Sequence, residues 1–220
     1  MFRTSFTTVA LATCSSVAQA GLTSFASRAD FNAAFPIRSF EDFEEARVDS
    51  GGFGQMDGPL DQFTDNSIFR AGEIVAGLRI VTPAFGGPGN MFIHGAGFGS
   101  YTSKGVSFND GGTPSPQLSV SLSGGDYRGF AMDVTCSPFD GCLVVVEYWS
   151  DQTLLGTTTV IGTGSGAFVG VSSDQRITRV TLSSPSTFFG LDNVAFAVPA
   201  PGAAGLLPLA GLAGSRRRRA

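Results

Sequence analysis

Short runs in which apolar and polar residues alternate cover most of the chain. Residues 118–122 have the sequence Leu-Ser-Val-Ser-Leu, and residues 130–134 repeat the alternation. A period of two places the apolar side chains on one face of a β-strand. Residues 142–149 are almost continuously apolar, which is typical of a central strand, whereas the Gly-rich residues 85–99 predict loops. Further strands, the first of them with mixed faces, are predicted at 37–45, 153–161, 167–171, 177–182 and 188–197.

One short helix is predicted ahead of these strands. Ser27 can cap it, Phe31 and Phe35 lie four residues apart on one helical face, and Pro36 ends it. No later segment of the body has a helical stripe, and a parallel sheet would need crossover helices. The sequence therefore predicts an all-β fold, an antiparallel jelly-roll-like β-sandwich with one short N-terminal helix, over residues 21–197.

The charges are unevenly distributed along the 220 residues. The formal net charge is −4, but Arg3 lies near the start and Arg216, Arg217, Arg218 and Arg219 close the chain. Without these five, 9 basic residues face 18 acidic ones. An acidic body of this kind argues against a nucleic-acid partner, and 42% hydrophobic residues argue against a disordered chain.

The N-terminal residues 1–20 have the pattern of a signal peptide. Arg3 is followed by an uncharged stretch, and small residues at Ala18 and Ala20 mark a cleavage site for signal peptidase. Two alternatives remain open at this point. The stretch ending at Cys14 loosely resembles a lipoprotein signal, and the segment also has the composition of a frayed polar terminus.

The C-terminal residues 198–220 contain a second exported-protein pattern. Asp192 and Arg216 bracket 23 uncharged residues, a length that just reaches the roughly 20 apolar residues of a spanning helix. Four arginines after such a helix would stay on the cytoplasmic side. Within the stretch, a Val-Pro-Ala-Pro motif precedes a run of Gly, Ala and Leu; its residues are Val198, Pro199, Ala200 and Pro201.

This order of Pro motif, apolar helix and Arg216–Arg219 cluster resembles the PEP-CTERM sorting tail of Gram-negative bacteria. Ala200 stands where the namesake motif has Glu. The resemblance implies recognition by an exosortase, a transient anchor in the inner membrane, and delivery to the cell surface or the extracellular exopolysaccharide matrix. A plain C-terminal transmembrane anchor is the alternative. Both place the body outside the cytoplasm.

Two cysteines remain once the signal peptide is removed. Cys136 and Cys142 enclose a turn-rich loop between two predicted strands. In an oxidising compartment such a pair predicts a disulfide, with two free thiols or half of a metal site as the alternative.

Catalytic motifs are weak in this sequence, and no catalytic residue is assigned. His94 is the single histidine, and its place after an apolar run favours a structural role. Residues 95–100 faintly resemble a dinucleotide-binding loop but lack the third Gly.

Acidic residues are the remaining candidates for chemistry. The early Phe-Glu pairs and Asp192 resemble positions that share a structural calcium in galactose-binding-like carbohydrate-binding modules. The resemblance implies a Ca²⁺ held by Glu41, Glu44 and Asp192, and hard oxygen ligands suit that ion. The alternatives are that Asp192 binds backbone amides while the early acids are solvated, or that two carboxylates act as a glycosidase pair.

The sequence therefore predicts an exported, non-catalytic surface or matrix protein that binds exopolysaccharide or another glycan. Tyr148 and Trp149 are candidates for a sugar-stacking face, although core positions in the central strand are favoured for both. A secreted carbohydrate-active hydrolase is the first alternative. An ice-binding protein is a lower one, because the body lacks a regular Thr-rich repeat.

Overall fold

A computed structural model of the chain describes residues 21–82, 91–109, 118–136, 141–185 and 188–199. These residues form strands and one short helix. In chain order the elements are β1 (Leu22–Ser24), α1 (Arg28–Ala34), β2 (Ser39–Glu41), β3 (Phe53–Met56), β4 (Leu60–Asp61), β5 (Leu78–Val81), β6 (Met91–His94), β7 (Gly105–Asn109), β8 (Leu118–Leu122), β9 (Gly129–Cys136), β10 (Cys142–Ser150), β11 (Thr153–Gly162), β12 (Ala167–Ser173), β13 (Arg179–Ser183) and β14 (Phe188–Ala197).

The strands form two sheets in which neighbouring strands run antiparallel. The eight-stranded sheet has the order β1-β12-β9-β14-β7-β6-β3, and β2 pairs with part of β14. The six-stranded sheet has the order β11-β10-β13-β8-β5-β4. From β7 to β14 the chain alternates between the sheets except at the β10–β11 hairpin, as in a double-sheet jelly roll. The predicted antiparallel β-sandwich is confirmed.

The core lies between the two sheets and follows the alternation of the sequence. Leu118, Val120 and Leu122 of β8 are buried in it, as are Phe130, Met132 and Val134 of β9. Burying such rows against each other removes apolar surface from water, which is the main favourable term in folding. A disulfide joins Cys136 at the end of β9 to Cys142 at the start of β10, as predicted.

The predicted helix is also confirmed. The backbone N–H of Asp30 donates to the Ser27 side chain at 3.2 Å, which caps the first turn. The helix ends at Ala34, before Pro36. Phe31 and Phe35 form a small second cluster with alanines of β9 and β14, on the outer side of the eight-stranded sheet.

Three predictions about strands need correction. The loop predicted at 85–99 is wrong over Met91–His94, which forms β6 because Met91 and Ile93 supply core side chains. The strand predicted at 37–45 is reduced to Ser39–Glu41. The central strand β10 does have neighbours on both sides, but only alternate side chains enter the core, and Leu143 is 45% exposed.

The two predicted sorting segments lie outside the described residues, apart from Val198 and Pro199, which follow β14. The signal peptide with Ala18 and Ala20 is outside, as are Pro201 and the arginine cluster. In the described part of the chain, no helix has the length and hydropathy needed to cross a membrane.

Candidate functional site

The outer face of the six-stranded sheet carries a tryptophan with polar neighbours. Trp149 and Glu147 lie on β10, opposite Arg179 and Thr181 of β13. The Trp149 indole N–H donates to Thr181 Oγ1 at 3.3 Å, and the Thr181 hydroxyl donates to Glu147 Oε2 at 3.0 Å. The Arg179 guanidinium carbon lies 4.9 Å from the centroid of the Trp149 ring. We call these four residues the Trp149 face.

Trp149 is partly exposed on this face, whereas Tyr148 is fully buried. The core position predicted for both is therefore right for Tyr148 and wrong for Trp149. The sequence already indicated an outward position for Trp149. Residues two apart on a strand share one face, and Trp149 therefore shares its side of β10 with the charged Glu147.

Small hydroxyl side chains continue the Trp149 face across the sheet. Ser121 of β8, which is partly exposed, lies opposite Arg179, and the buried Ser119 lies opposite Thr181. Hydroxyl, carboxylate and guanidinium groups thus share one sheet surface with an indole ring. Such a surface offers an apolar platform together with hydrogen-bond donors and acceptors.

A second feature is a pocket on the outer side of the eight-stranded sheet, which we call the aromatic pocket. It has a volume of about 220 Å³. Strands β3, β6, β7 and β14 supply five of its residues, and the loop after β6 supplies Phe98 and Tyr101. The lining residues are Phe53, Phe92, His94, Phe98, Tyr101, Ser107 and Phe188.

His94 is the most buried member of the aromatic pocket, with no exposed surface. Its Nδ1 lies 2.6 Å from Ser107 Oγ, and its ring stacks on Tyr101 with the centroids 3.7 Å apart. Burial lowers the pKa of His94 to about 3, so the ring is neutral near pH 7. These contacts agree with the structural role predicted for this residue.

Tyr101 closes the aromatic pocket from the loop side and is itself 3% exposed. Burial raises the pKa of its hydroxyl, and the neighbouring hydroxyls of Ser107 and Thr135 partly offset that shift. The phenol is therefore neutral at physiological pH. Sequence reasoning missed this pocket, because the loop residues Phe98 and Tyr101 are brought onto the sheet only by the fold.

The predicted calcium ligand Glu41 is buried at the end of β2. Its two carboxylate oxygens accept the backbone N–H groups of Phe43 at 2.9 Å and Val75 at 2.8 Å. Burial is the main cause that raises its pKa. Its carboxylate lies in one group with those of Asp42 and Glu45, whose ligand atoms are within 4.8 Å of one another.

The predicted ligand Asp192 is 2% exposed and lies at a bulge of β14. The Ser103 hydroxyl donates to its carboxylate at 2.5 Å, and the backbone N–H of Asn193 does so at 2.6 Å. Burial, reinforced by the charges of Asp133 and Glu44, raises the pKa of Asp192 to about 7.

The third predicted ligand, Glu44, lies beside an ammonium group. The backbone N–H of Lys104 donates to Glu44 Oε1 at 3.2 Å. Lys104 Nζ donates to the carbonyl oxygens of Glu44 and Ala46, each at 2.8 Å. Among the described residues, Glu41, Glu44 and Asp192 do not form one ligand group, and a lysine already occupies nearby oxygen atoms. This arrangement does not fit one Ca²⁺ shared by the three carboxylates.

Comparison with known proteins gives only distant structural likenesses. No family model matches the chain, and no curated protein matches it. The carbohydrate-binding module TmCBM61 in complex with β-1,4-galactotriose has a TM-score of 0.38 and 10% identity, covering 56% of this chain and 88% of that one.

Two further structures have lower TM-scores. The CBM22-1–GH10 modules of Clostridium thermocellum xylanase 10B, complexed with xylohexaose, give 0.30 at 14% identity, covering 74% of this chain and 29% of that one. A carbohydrate-binding module of Cellvibrio mixtus lichenase 5A, in complex with cellotriose, gives 0.28 at 11% identity, covering 74% of this chain and 98% of that one. All three TM-scores lie below 0.5, so these likenesses do not indicate a function for this chain.

Proposed function

We propose that the chain is an exported, non-catalytic domain that binds a glycan through the Trp149 face. The observation that carries the proposal is a partly exposed indole whose polar neighbours lie on the same sheet surface. The exported location is supported by the predicted signal peptide and by the sorting tail, and exopolysaccharide is the glycan that such a location provides.

A pyranose ring has an apolar side formed by C–H groups and an edge formed by hydroxyls. The part of the Trp149 indole that the Arg179 guanidinium does not cover supplies an apolar surface for the C–H side. Glu147 accepts hydrogen bonds, Arg179 donates them, and Thr181 does both. These groups therefore match the hydroxyl edge of the sugar. A wholly apolar face would leave sugar hydroxyls without partners, which costs free energy.

Replacing Trp149 with alanine should weaken glycan binding roughly tenfold or more, because an aromatic anchor is lost. The probes are cellotriose, xylohexaose, β-1,4-galactotriose and purified bacterial exopolysaccharide, and the affinity is measured by isothermal titration calorimetry on the full chain. Phe63→Ala is the matched control, since Phe63 is an aromatic residue that is 76% exposed and follows β4, four strands along the sheet from β10. An unchanged affinity in Trp149→Ala would reject the site, and failure of every probe, exopolysaccharide included, would reject glycan binding.

The arginine cluster tests the sorting proposal, in which signal peptidase and an exosortase process the two ends. Changing Arg216, Arg217, Arg218 and Arg219 to alanine should reduce retention and surface delivery, because the cytoplasmic charge that fixes the tail is removed. The measurement is cell fractionation with surface proteolysis in a Gram-negative host that has an exosortase. Four lysines at the same positions keep the charge and are the control. Normal delivery of the alanine variant would count against the proposal.

A further inference from the structure

The aromatic pocket differs in chemistry from the Trp149 face. Its walls are the rings of four phenylalanines, Tyr101 and His94. Phe53 packs against Phe92 and Phe98 with centroid distances of 5.6 and 5.3 Å. Phe53 is also 57% exposed, so the pocket borders solvent on this side. A small molecule can therefore reach these rings from outside the protein.

The size of the pocket limits the ligand to one ring with a small substituent. The volume is about 220 Å³. For scale, a protein cavity of about 150 Å³ lined by apolar side chains binds benzene. Aromatic walls favour an aromatic guest, because rings gain from edge-to-face and offset contacts beyond their buried area.

Two buried polar atoms of the pocket lining, His94 Nε2 and the Tyr101 hydroxyl oxygen, have no hydrogen-bond partner among the described residues. His94 Nδ1 is engaged by Ser107, but Nε2 is buried and has no hydrogen-bond partner among the residues that the structure describes. Most buried side-chain polar atoms are paired. Depending on the tautomer, Nε2 either accepts or donates, and a hydroxyl group can serve in both cases.

We propose that the aromatic pocket binds a phenolic ring, with the aromatic carbons among the phenylalanines and the hydroxyl paired with His94 Nε2. A pyranose would leave several of its hydroxyls against apolar walls, which is costly. A pure hydrocarbon would leave Nε2 unpaired. The phenol group can come from a free phenolic compound or from a tyrosine side chain of another polypeptide.

The test is the affinity of the full chain for p-cresol and for toluene, two rings that differ by one hydroxyl. We expect saturable binding of p-cresol, roughly tenfold tighter than toluene. A capped Gly-Tyr-Gly peptide is the second arm. Binding of p-cresol alone assigns free phenolics as the source, whereas binding of both also assigns the tyrosine side chain. Failure of p-cresol to bind, or equal affinity for p-cresol and toluene, would overturn the proposal.

Two variants separate the pocket wall from the polar contact. Phe98→Ala should weaken p-cresol roughly tenfold, because it removes one ring from the wall. Phe63→Ala, outside the pocket, should not weaken p-cresol binding.

His94→Phe should remove the preference for p-cresol over toluene. If that variant fails to fold, Phe98→Ala still decides the test. An unchanged affinity in Phe98→Ala would overturn the site. Trp149→Ala should leave p-cresol binding unaffected, so the outcome does not depend on the glycan proposal.

Discussion

Replacing Gly190 with alanine is expected to lower the free energy of unfolding by about 3 kcal/mol, because the sheet has no room for the added methyl group. Gly190 lies on β14 between Ser107 of β7 and Thr135 of β9. A Cβ there would collide with the carbonyl oxygen of Val106 and would lie 2.8 Å from Thr135 Oγ1 and 3.0 Å from Ser107 Oγ. The measurement is urea unfolding monitored by circular dichroism.

Gly58→Ala is the matched control for this prediction. Gly58 is exposed, and a Cβ at that position would have no atom within 4 Å. Its free energy of unfolding should therefore change by less than about 0.5 kcal/mol. Equal stabilities of Gly190→Ala and the parent chain would mean that β7, β14 and β9 do not pack as closely as described. Because Ser107 also holds His94, the same variant is expected to weaken p-cresol binding.

The strands that could be predicted from sequence are those whose pattern matches their burial. In β8, Leu118, Val120 and Leu122 are buried at every second position, as the alternation indicates. The start of α1 is set by a local contact, because the Ser27 hydroxyl accepts the backbone N–H of Asp30, three residues later, and so caps the helix. Local signals of this kind do not depend on the rest of the fold.

The candidate sites could be predicted only in part, because they depend on contacts between distant segments. The resemblance indicates Asp192 as a calcium ligand, but its partner Ser103 is 89 positions away in sequence. Lys104, whose ammonium group contacts the Glu44 carbonyl oxygen, is 60 positions away from Glu44 in sequence. No periodicity along the chain indicates which loop will cover which strand, so the groups that surround each carboxylate are known only from the structure.

The same limit applies to the aromatic pocket. Phe92 and His94 share one face of β6, and that much follows from a period of two. Tyr101 reaches His94 only because the loop after β6 folds back over the sheet. A Gly-rich loop predicts exposure, not the burial that Tyr101 has.

The contribution of Asp192 to stability is expected to fall as the pH rises from about 4 to about 7, while the buried, neutral His94 acts in the opposite direction between about 3 and 6.5. Burial raises the pKa of this carboxyl from 3.8 to about 7. In this range the Asp192 carboxyl therefore binds a proton in the folded state but not in the unfolded state, so its contribution to the free energy of unfolding decreases with pH. The contribution is fully present below the unfolded pKa and is lost as the pH passes the folded one. A shift of this size corresponds to about 4 kcal/mol. The buried Glu41 acts in the same direction.

Asp192→Asn tests this directly, since the amide resembles the protonated carboxyl and does not titrate. We expect urea unfolding at a series of pH values to show that the stability of this variant rises more steeply between about pH 4 and pH 6.5 than that of the parent chain, because the contribution of His94 is no longer offset. Asp126→Asn is the control. Its side chain is 56% exposed, and this variant should keep the pH dependence of the parent chain.

Repeating the pH titration of the parent chain with EDTA and with excess Ca²⁺ tests the calcium prediction together with the pKa. An ion bound by Asp192 would favour the ionised carboxylate and would raise stability above pH 7 only when Ca²⁺ is present. Stability independent of both additives would reject calcium at Asp192, and equal pH dependences for Asp192→Asn and the parent chain would show that this buried carboxyl does not hold the proton.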